Sequence, residues 1–206
     1  ANNIAFSDRG INLECLSDIQ KPLVIYNFFV GDLENKFINN SNKIKLTNSK
    51  TTIIEYNIDN SECNFFRNTF QMFDLDNSEL DYFVINNKIS NSYNYIRNSI
   101  KINKSKYKNY IFTSGVKFKK EDNDIFLNSE NSSTEIYSAS VLKKDEHQEV
   151  QSTIRHMAPN CKSLQKIKTI LKDSSKGIFQ GKIYVDKKAQ KTDAYQLSKA
   201  LILNDE

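Results

Sequence analysis

Residues 150–204 switch between polar and apolar side chains with a period of two, the mark of strands. Strand-like pieces cover 165–171, 178–186 and 200–204. Asp173, Ser174, Ser175 and Gly177 supply turn chemistry in the first gap. In 150–157, Gln151 and Arg155 suit water, which turns Val150, Ser152, Ile154 and His156 inward. In 163–172 the lysines at 166, 168 and 172 face out, so Ser163, Gln165, Ile167, Thr169 and Leu171 face in. The same rule sends Phe179, Gly181, Ile183 and Val185 inward. Over 189–198 it places Gln190, Thr192, Ala194, Gln196 and Ser198 opposite Lys191 and Asp193. The expected interior mixes amides and hydroxyls with apolar groups. Buried amides need partners, and strands stacked with like residues above one another supply them.

Upstream, 23–30 reads as a buried strand and 43–46 as a half-exposed one. Residues 51–56, 80–85, 93–102, 107–113 and 134–142 have the same strand character. Phe65, Phe66, Phe70 and Phe73 are bulky core candidates, whereas 1–21 show no clear periodicity. No helical stripe is sustained over twelve residues. The strand centres Ile54, Phe83 and Ile111 lie 29 and then 28 residues apart, a spacing that suggests a solenoid. Asparagines at 39–40, 57–60, 86–87 and 131 suit corners, because Asn tolerates left-handed conformations. A β-sandwich would also show many short strands, but the amides at Gln165, Gln190 and Gln196 favour a β-helix.

One ordered set of residues carries a resemblance. His156, Pro159-Asn160, Ser163, Gln165, Lys168, Phe179, Gly181-Lys182-Ile183, Val185, Ala189-Gln190, Thr192, Ala194 and Gln196 are followed by a leucine-rich run. Together they resemble SufD, a subunit of the SUF iron–sulfur cluster assembly system. The related B-type subunit shares the His-x-x-Pro-Asn start and departs where this chain reads Gln190-Lys191-Thr192. The resemblance therefore favours the D type, with weaker similarity reaching back to about Leu23. It implies an all-β, right-handed parallel β-helix: a lead-in over 1–22, then a core over 23–206 that stops short of the family's C-terminal part. The family's Cys-Ser-His-Gly segment and helical tail have no counterpart here, so its best-known site residues map to no position in this chain.

Composition narrows the function. Hydrophobic content of 38% and charged content of 26% suit a globular protein. The 29 basic and 25 acidic residues leave a net charge of +4, too balanced to argue for nucleic acid. Cys15, Cys63 and Cys161 are odd in number and widely spaced, with no Cys-x-x-Cys pair for zinc or a ferredoxin-type cluster. The apolar run at 23–30 is too short to cross a bilayer, and a reducing cytoplasm fits the free thiols.

Two residues are candidates for chemistry. His156 reads either as a metal ligand or relay, or as a structural histidine bonded within the stack. No second histidine or carboxylate stands at ligand spacing on its face, which favours the structural role. Cys161 reads either as a sulfur-carrying thiolate beside Lys162 or as a small turn residue. Pro159-Asn160 makes the turn that ends the His156 strand. Carboxylates at 119–124 (KKEDND) and His147 within 143–149 read as exposed loops, and no nucleotide-binding motif is present.

The resemblance implies a non-enzymatic scaffold that pairs with a SufB-type subunit and is worked by a SufC-type ATPase. It implies no cofactor held by this chain, the iron–sulfur cluster belonging to the full complex. Self-association through the C-terminal coil is a further expectation. The competing expectations are a β-helix enzyme acting on carbohydrate, which would need clustered carboxylates and aromatic platforms, and an unrelated β-solenoid interaction protein.

Overall fold

The computed structural model describes residues 10–59 and 63–203. The chain winds into a parallel β-solenoid of about six turns, which stack seven rungs among the described residues, and no helix occurs there. Each turn contributes one strand to each of two facing sheets. The first sheet stacks β1 (Asn12–Cys15), β3 (Phe37–Thr47), β5 (Phe66–Asp76), the second halves of β6 (Glu79–Asn103) and β7 (Lys106–Leu127), β9 (His147–His156) and β11 (Lys176–Val185). The second stacks β2 (Leu23–Phe29), β4 (Lys50–Asp59), the first halves of β6 and β7, β8 (Ser133–Leu142), β10 (Lys162–Lys172) and β12 (Asp193–Leu203). Every pairing is parallel, so each residue sits above its equivalent one turn earlier.

This register turns the two-residue alternation into columns. Inside the first sheet, Ile44, Phe73, Ile100, Ile125 and Ile154 form one column and Leu46, Leu75, Ile102, Leu127 and His156 the next. Phe73 meets Tyr82 of the second sheet edge-on at 5.1 Å, closing the core across the gap. Gln151 and Arg155 face out while Val150, Ser152, Ile154 and His156 are buried, as the alternation predicts. Ser163, Gln165 and Ile167 are likewise buried.

Left-handed residues make one corner. Asn48, Asn77, Lys104, Asn131, Asn160 and Lys191 have φ between 47° and 62° and follow one another turn by turn. Here the backbone leaves the first sheet for the second, and Asn lowers the cost of the left-handed turn. Gly115, Lys144 and Asp173 mark the opposite corner with positive φ.

Several expectations need correction. Residues 23–30 are not a buried strand: Val24, Tyr26 and Phe28 of β2 face outward and are exposed. The KKEDND segment is no loop but the middle of β7, with Lys119, Glu121 and Asn123 buried. Alternation sends its other half outward, and a polar interior accepts the inner half. His147 opens β9, half-buried, with its ring 5.1 Å from Phe118; only the residues before it form a turn. Asn39, Asn40, Asn57, Asn86 and Asn87 lie within strands, whereas Asn131 does turn a corner; Asn60 lies outside the described residues. The partner of Phe83 in the next turn is Tyr110, not Ile111, because that turn is 27 residues long. Phe65 and Phe73 are core, but Phe66 is exposed and Phe70 half-buried. Residues 189–198 are not one strand. Gln190 and Thr192 belong to a corner, and β12 starts at Asp193. Of the expected lead-in, Asn12–Cys15 already pairs with β3, and residues 1–9 lie outside the described residues.

Candidate functional site

β9 ends at His156, the chain turns, and β10 begins at Lys162. His156 is wholly buried between Leu127 below and Val185 above. Its Nε2 lies 2.9 Å from Ser163 Oγ, joining the last residue of one strand to the facing sheet. Nδ1 has no hydrogen-bond partner among the described residues. Burial pushes the imidazole pKa below its usual value, so the ring stays neutral at pH 7. Among the described residues, no three His, Cys, Asp or Glu side chains gather where a metal ion could be held.

Cys161 is also wholly buried, and its Sγ donates to Ser129 O at 3.2 Å and lies 3.6 Å from Pro159 O. Burial raises the thiol pKa, which disfavours the thiolate. Lys162 follows it in a strand, but alternation points the lysine to solvent. The corner column explains Cys161. Ser78 Oγ and Ser105 Oγ each donate to the carbonyl two residues back, at 2.7 Å and 2.6 Å. Cys161 addresses Pro159 O by the same two-residue step, one turn above Ser132. Recurrence of Ser49, Ser78, Ser105 and Ser132 just after the left-handed corner residues was the sequence signal that would have revealed this.

The remaining motif residues join turn to turn or brace a corner within one turn. Asn160 holds φ 57°, its N–H donates to Gln190 O at 2.9 Å, and its amide donates to Glu130 at 2.6 Å. Gln165 Nε2 donates to Gln196 Oε1 at 3.2 Å, the amide pairing expected from stacking. Gly181 lies under the Gln196 amide: a Cβ there would meet it at 2.3 Å. Phe179 packs on the core from its edge. Thr192 Oγ1 donates to Ala189 O at 2.9 Å, Ala189 is buried, and Gln190 Nε2 donates to Lys187 O at 2.7 Å. Lys168 is the exception, exposed on the outer face of β10.

Sequence reasoning missed a second constellation, deep between β4, β5, β6 and β7. The Glu55 carboxylate accepts from Asn27 at 2.9 Å, Asn57 at 3.1 Å, Gln71 at 3.2 Å and the Tyr82 hydroxyl. Arg67 donates to Asn57 Oδ1 at 2.7 Å, reaches Glu55 at 4.0 Å and lies over the Phe29 ring at 4.6 Å. Nearby, Lys119 pairs with Glu121 at 2.9 Å and donates to Thr113 at 3.3 Å. Glu121 also accepts from Asn98 and Asn123, each at 3.3 Å. Burial depresses the Arg67 pKa against the pull of Glu55, and it holds the Tyr82 and Tyr107 phenols well above their usual pKa. Buried charges persist only when paired and hydrogen-bonded, and this network meets that condition. Its charged groups are turned on one another and on neighbouring amides, while Arg67 Nε and Asn98 Oδ1 have no hydrogen-bond partner among the described residues, and it ties the two sheets together as an interior lock.

No described helix is long and apolar enough to cross a membrane. No curated protein sequence matches the chain. Residues 29–206 match the family described as SUF system FeS cluster assembly, SufBD core domain. That stretch runs from the end of β2 through β12 and includes every motif residue described above, and the parallel solenoid is the fold the resemblance implied; the chain belongs to the SufBD core domain family of the SUF iron–sulfur cluster assembly system.

Proposed function

We propose that this chain is a SufD-type scaffold subunit that supports cluster assembly without catalysing a step itself. One observation carries the proposal: the motif from His156 to Gln196, Lys168 aside, is spent on contacts that hold the solenoid's strands, turns and corners together. His156–Ser163, Asn160–Gln190 and Gln165–Gln196 each bridge strands or turns. The Gln190-Lys191-Thr192 corner favours the D type over the B type. The partners are a SufB-type subunit and a SufC-type ATPase, which hydrolyses the ATP. The iron–sulfur cluster is cargo of the complex, and this chain holds no cofactor of its own. Three free cysteines, Cys15, Cys63 and Cys161, suit work in a reducing cytoplasm. Self-association through β12 belongs to the same reading, since Leu201, Ile202 and Leu203 are exposed there.

Co-purification tests it. The chain is expressed with SufB- and SufC-type subunits of one cell and resolved by size exclusion. Co-elution with both supports the reading. A chain that elutes alone, while the other two still associate, overturns it. His156→Gln and Cys161→Ser variants that co-elute as well as the native chain agree with a scaffold, whereas loss of cluster formation without loss of co-elution would return both residues to a chemical role.

A further inference from the structure

The outer face of the second sheet carries an open groove of about 580 Å³. Two outward columns form its walls. Phe83, Tyr110 and Tyr137 stand above one another on one side, and Ile85, Phe112 and Ala139 on the other. Residues two apart along a strand are separated by roughly 7 Å, and successive rungs by about 4.8 Å. The groove therefore runs along the solenoid axis, across the strands. The next rung is not apolar. It presents Lys166 and Lys168, in register with Tyr137 and Ala139.

The aromatic wall has its faces occupied. Phe83 and Tyr110 stack at 4.6 Å with planes 9° apart, and Tyr110 and Tyr137 at 5.2 Å with planes 7° apart. Rings engaged face to face offer only edges and hydroxyls, so neither a base nor a sugar ring can lie flat on them. What fits between two columns is a row of apolar knobs repeating near the rung spacing. A helix presents one such row, about 5.4 Å per turn. Phe112, 37% exposed, joins Phe83, Ile85, Tyr110 and Tyr137 in one contiguous apolar lining rather than standing as a lone exposed side chain.

The charge at the groove's end identifies the occupant. Lys166 Nζ lies 5.9 Å from the Tyr137 ring centroid, and Lys168 is exposed. Among the described residues neither lysine meets a carboxylate. Flanking the aromatic wall, the next outward column runs Asp81, Lys108 and Glu135, with Lys108 paired to Glu135 at 3.6 Å, so the charge that lines the groove itself is that of Lys166 and Lys168. We propose that this groove docks an acidic amphipathic helix of a partner protein, with apolar side chains between the columns and carboxylates on Lys166 and Lys168. The inference does not depend on the scaffold role.

The probe is a fluorescein-labelled peptide of about 18 residues, helical over about 27 Å, with leucines on one face and glutamates on the other. Control peptides carry lysines for the glutamates or serines for the leucines. Anisotropy titration with the full chain should show micromolar binding of the acidic peptide and at least tenfold weaker binding of both controls. The double variant Lys166→Glu/Lys168→Glu should lose at least tenfold for the acidic peptide and gain for the basic one. Phe112→Glu should weaken the acidic peptide at least tenfold. All these side chains point to solvent, and far-UV circular dichroism checks the fold. Equal binding of acidic and basic peptides, no binding, or binding indifferent to the substitutions overturns the proposal. So does a chain that co-sediments with phosphatidylglycerol vesicles instead, or a dimer that Phe112→Glu dissolves.

Discussion

Cys161 stands one turn above Ser132 at the corner between the sheets, and Lys162 N–H donates to Ser132 O at 3.0 Å to fix that relation. The column below it is serine at 49, 78, 105 and 132, all buried. A thiol here is an isostere of the hydroxyl the corner uses, held by Ser129 O and Pro159 O. Cys161→Ser should therefore leave unfolding free energy within about 1 kcal/mol of native, measured by urea denaturation. Cys161→Ala, which removes the donor, should be the less stable of the two. A serine variant as damaging as alanine would contradict the corner role.

The same burial controls reactivity. Cys161 is enclosed and its thiol pKa is raised, whereas Cys63 is half-exposed. With Ellman's reagent at pH 8, Cys63 should react first and Cys161 only on the timescale of unfolding. Fast labelling of Cys161 in the folded chain would restore the thiolate reading.

His156 makes stability depend on pH. Its folded pKa lies below the value near 6.5 of an exposed histidine, because burial disfavours the charged ring. As pH falls through 6.5 the unfolded chain takes up the proton first. The unfolded state then binds more protons than the folded one, so the contribution of His156 to stability falls until the folded pKa is passed. The stability gap between the native chain and His156→Gln should therefore narrow between pH 7.5 and pH 5. Parallel stability curves would show that His156 does not titrate differently on folding.

How far this was legible depended on range. Alternation in β9 and β10 placed Val150, Ser152, Ile154 and His156 correctly because inside and outside differ sharply there. The same rule failed on 119–124, where both faces are polar. Thr113 across the Gly115 corner for Lys119, Glu121 as its ion-pair partner, and Asn98 of the preceding turn for Glu121 make that interior tolerable, and alternation along one strand reveals none of these. In 23–30 both faces are apolar, so burial could not be assigned to one of them. The amide contact of Gln165 with Gln196 was readable from like residues in equivalent positions. The Glu55–Arg67 lock was not, because its members are scattered over several turns and share no motif.

Asn160 tests the corner geometry. Its φ of 57° costs a residue with a Cβ and no compensating side chain about 1–2 kcal/mol. Asn160→Ala should pay that cost and lose the contact with Glu130. Asn160→Gly should recover most of the backbone part. An alanine variant as stable as the glycine variant would mean that the corner relaxes to another conformation.

Gly181 and Gln196 should show coupled substitutions. A methyl at 181 falls on the Gln196 amide, which is the movable end of a side chain at an exposed edge. Gly181→Ala therefore displaces the amide and breaks its bond with Gln165, at a cost of about 1 kcal/mol. In a Gln196→Ala background the obstruction is gone and the same substitution should be nearly free. Equal costs in both backgrounds would place the strain elsewhere.

The interior lock makes the largest prediction. Glu55 and Arg67 are both almost fully buried, and Glu55 is the shared acceptor for Asn27, Asn57, Gln71 and Tyr82. Removing one charge strands the other, so Glu55→Gln and Arg67→Met should each cost about 3–5 kcal/mol. The double substitution removes both members of the Glu55–Arg67 pair together and should cost less than the sum by more than about 1 kcal/mol. Urea denaturation of the native chain, both single variants and the double variant gives the cycle. Additive costs would mean that the 4.0 Å approach contributes nothing and that Arg67 is held by Asn57 and the Phe29 ring alone.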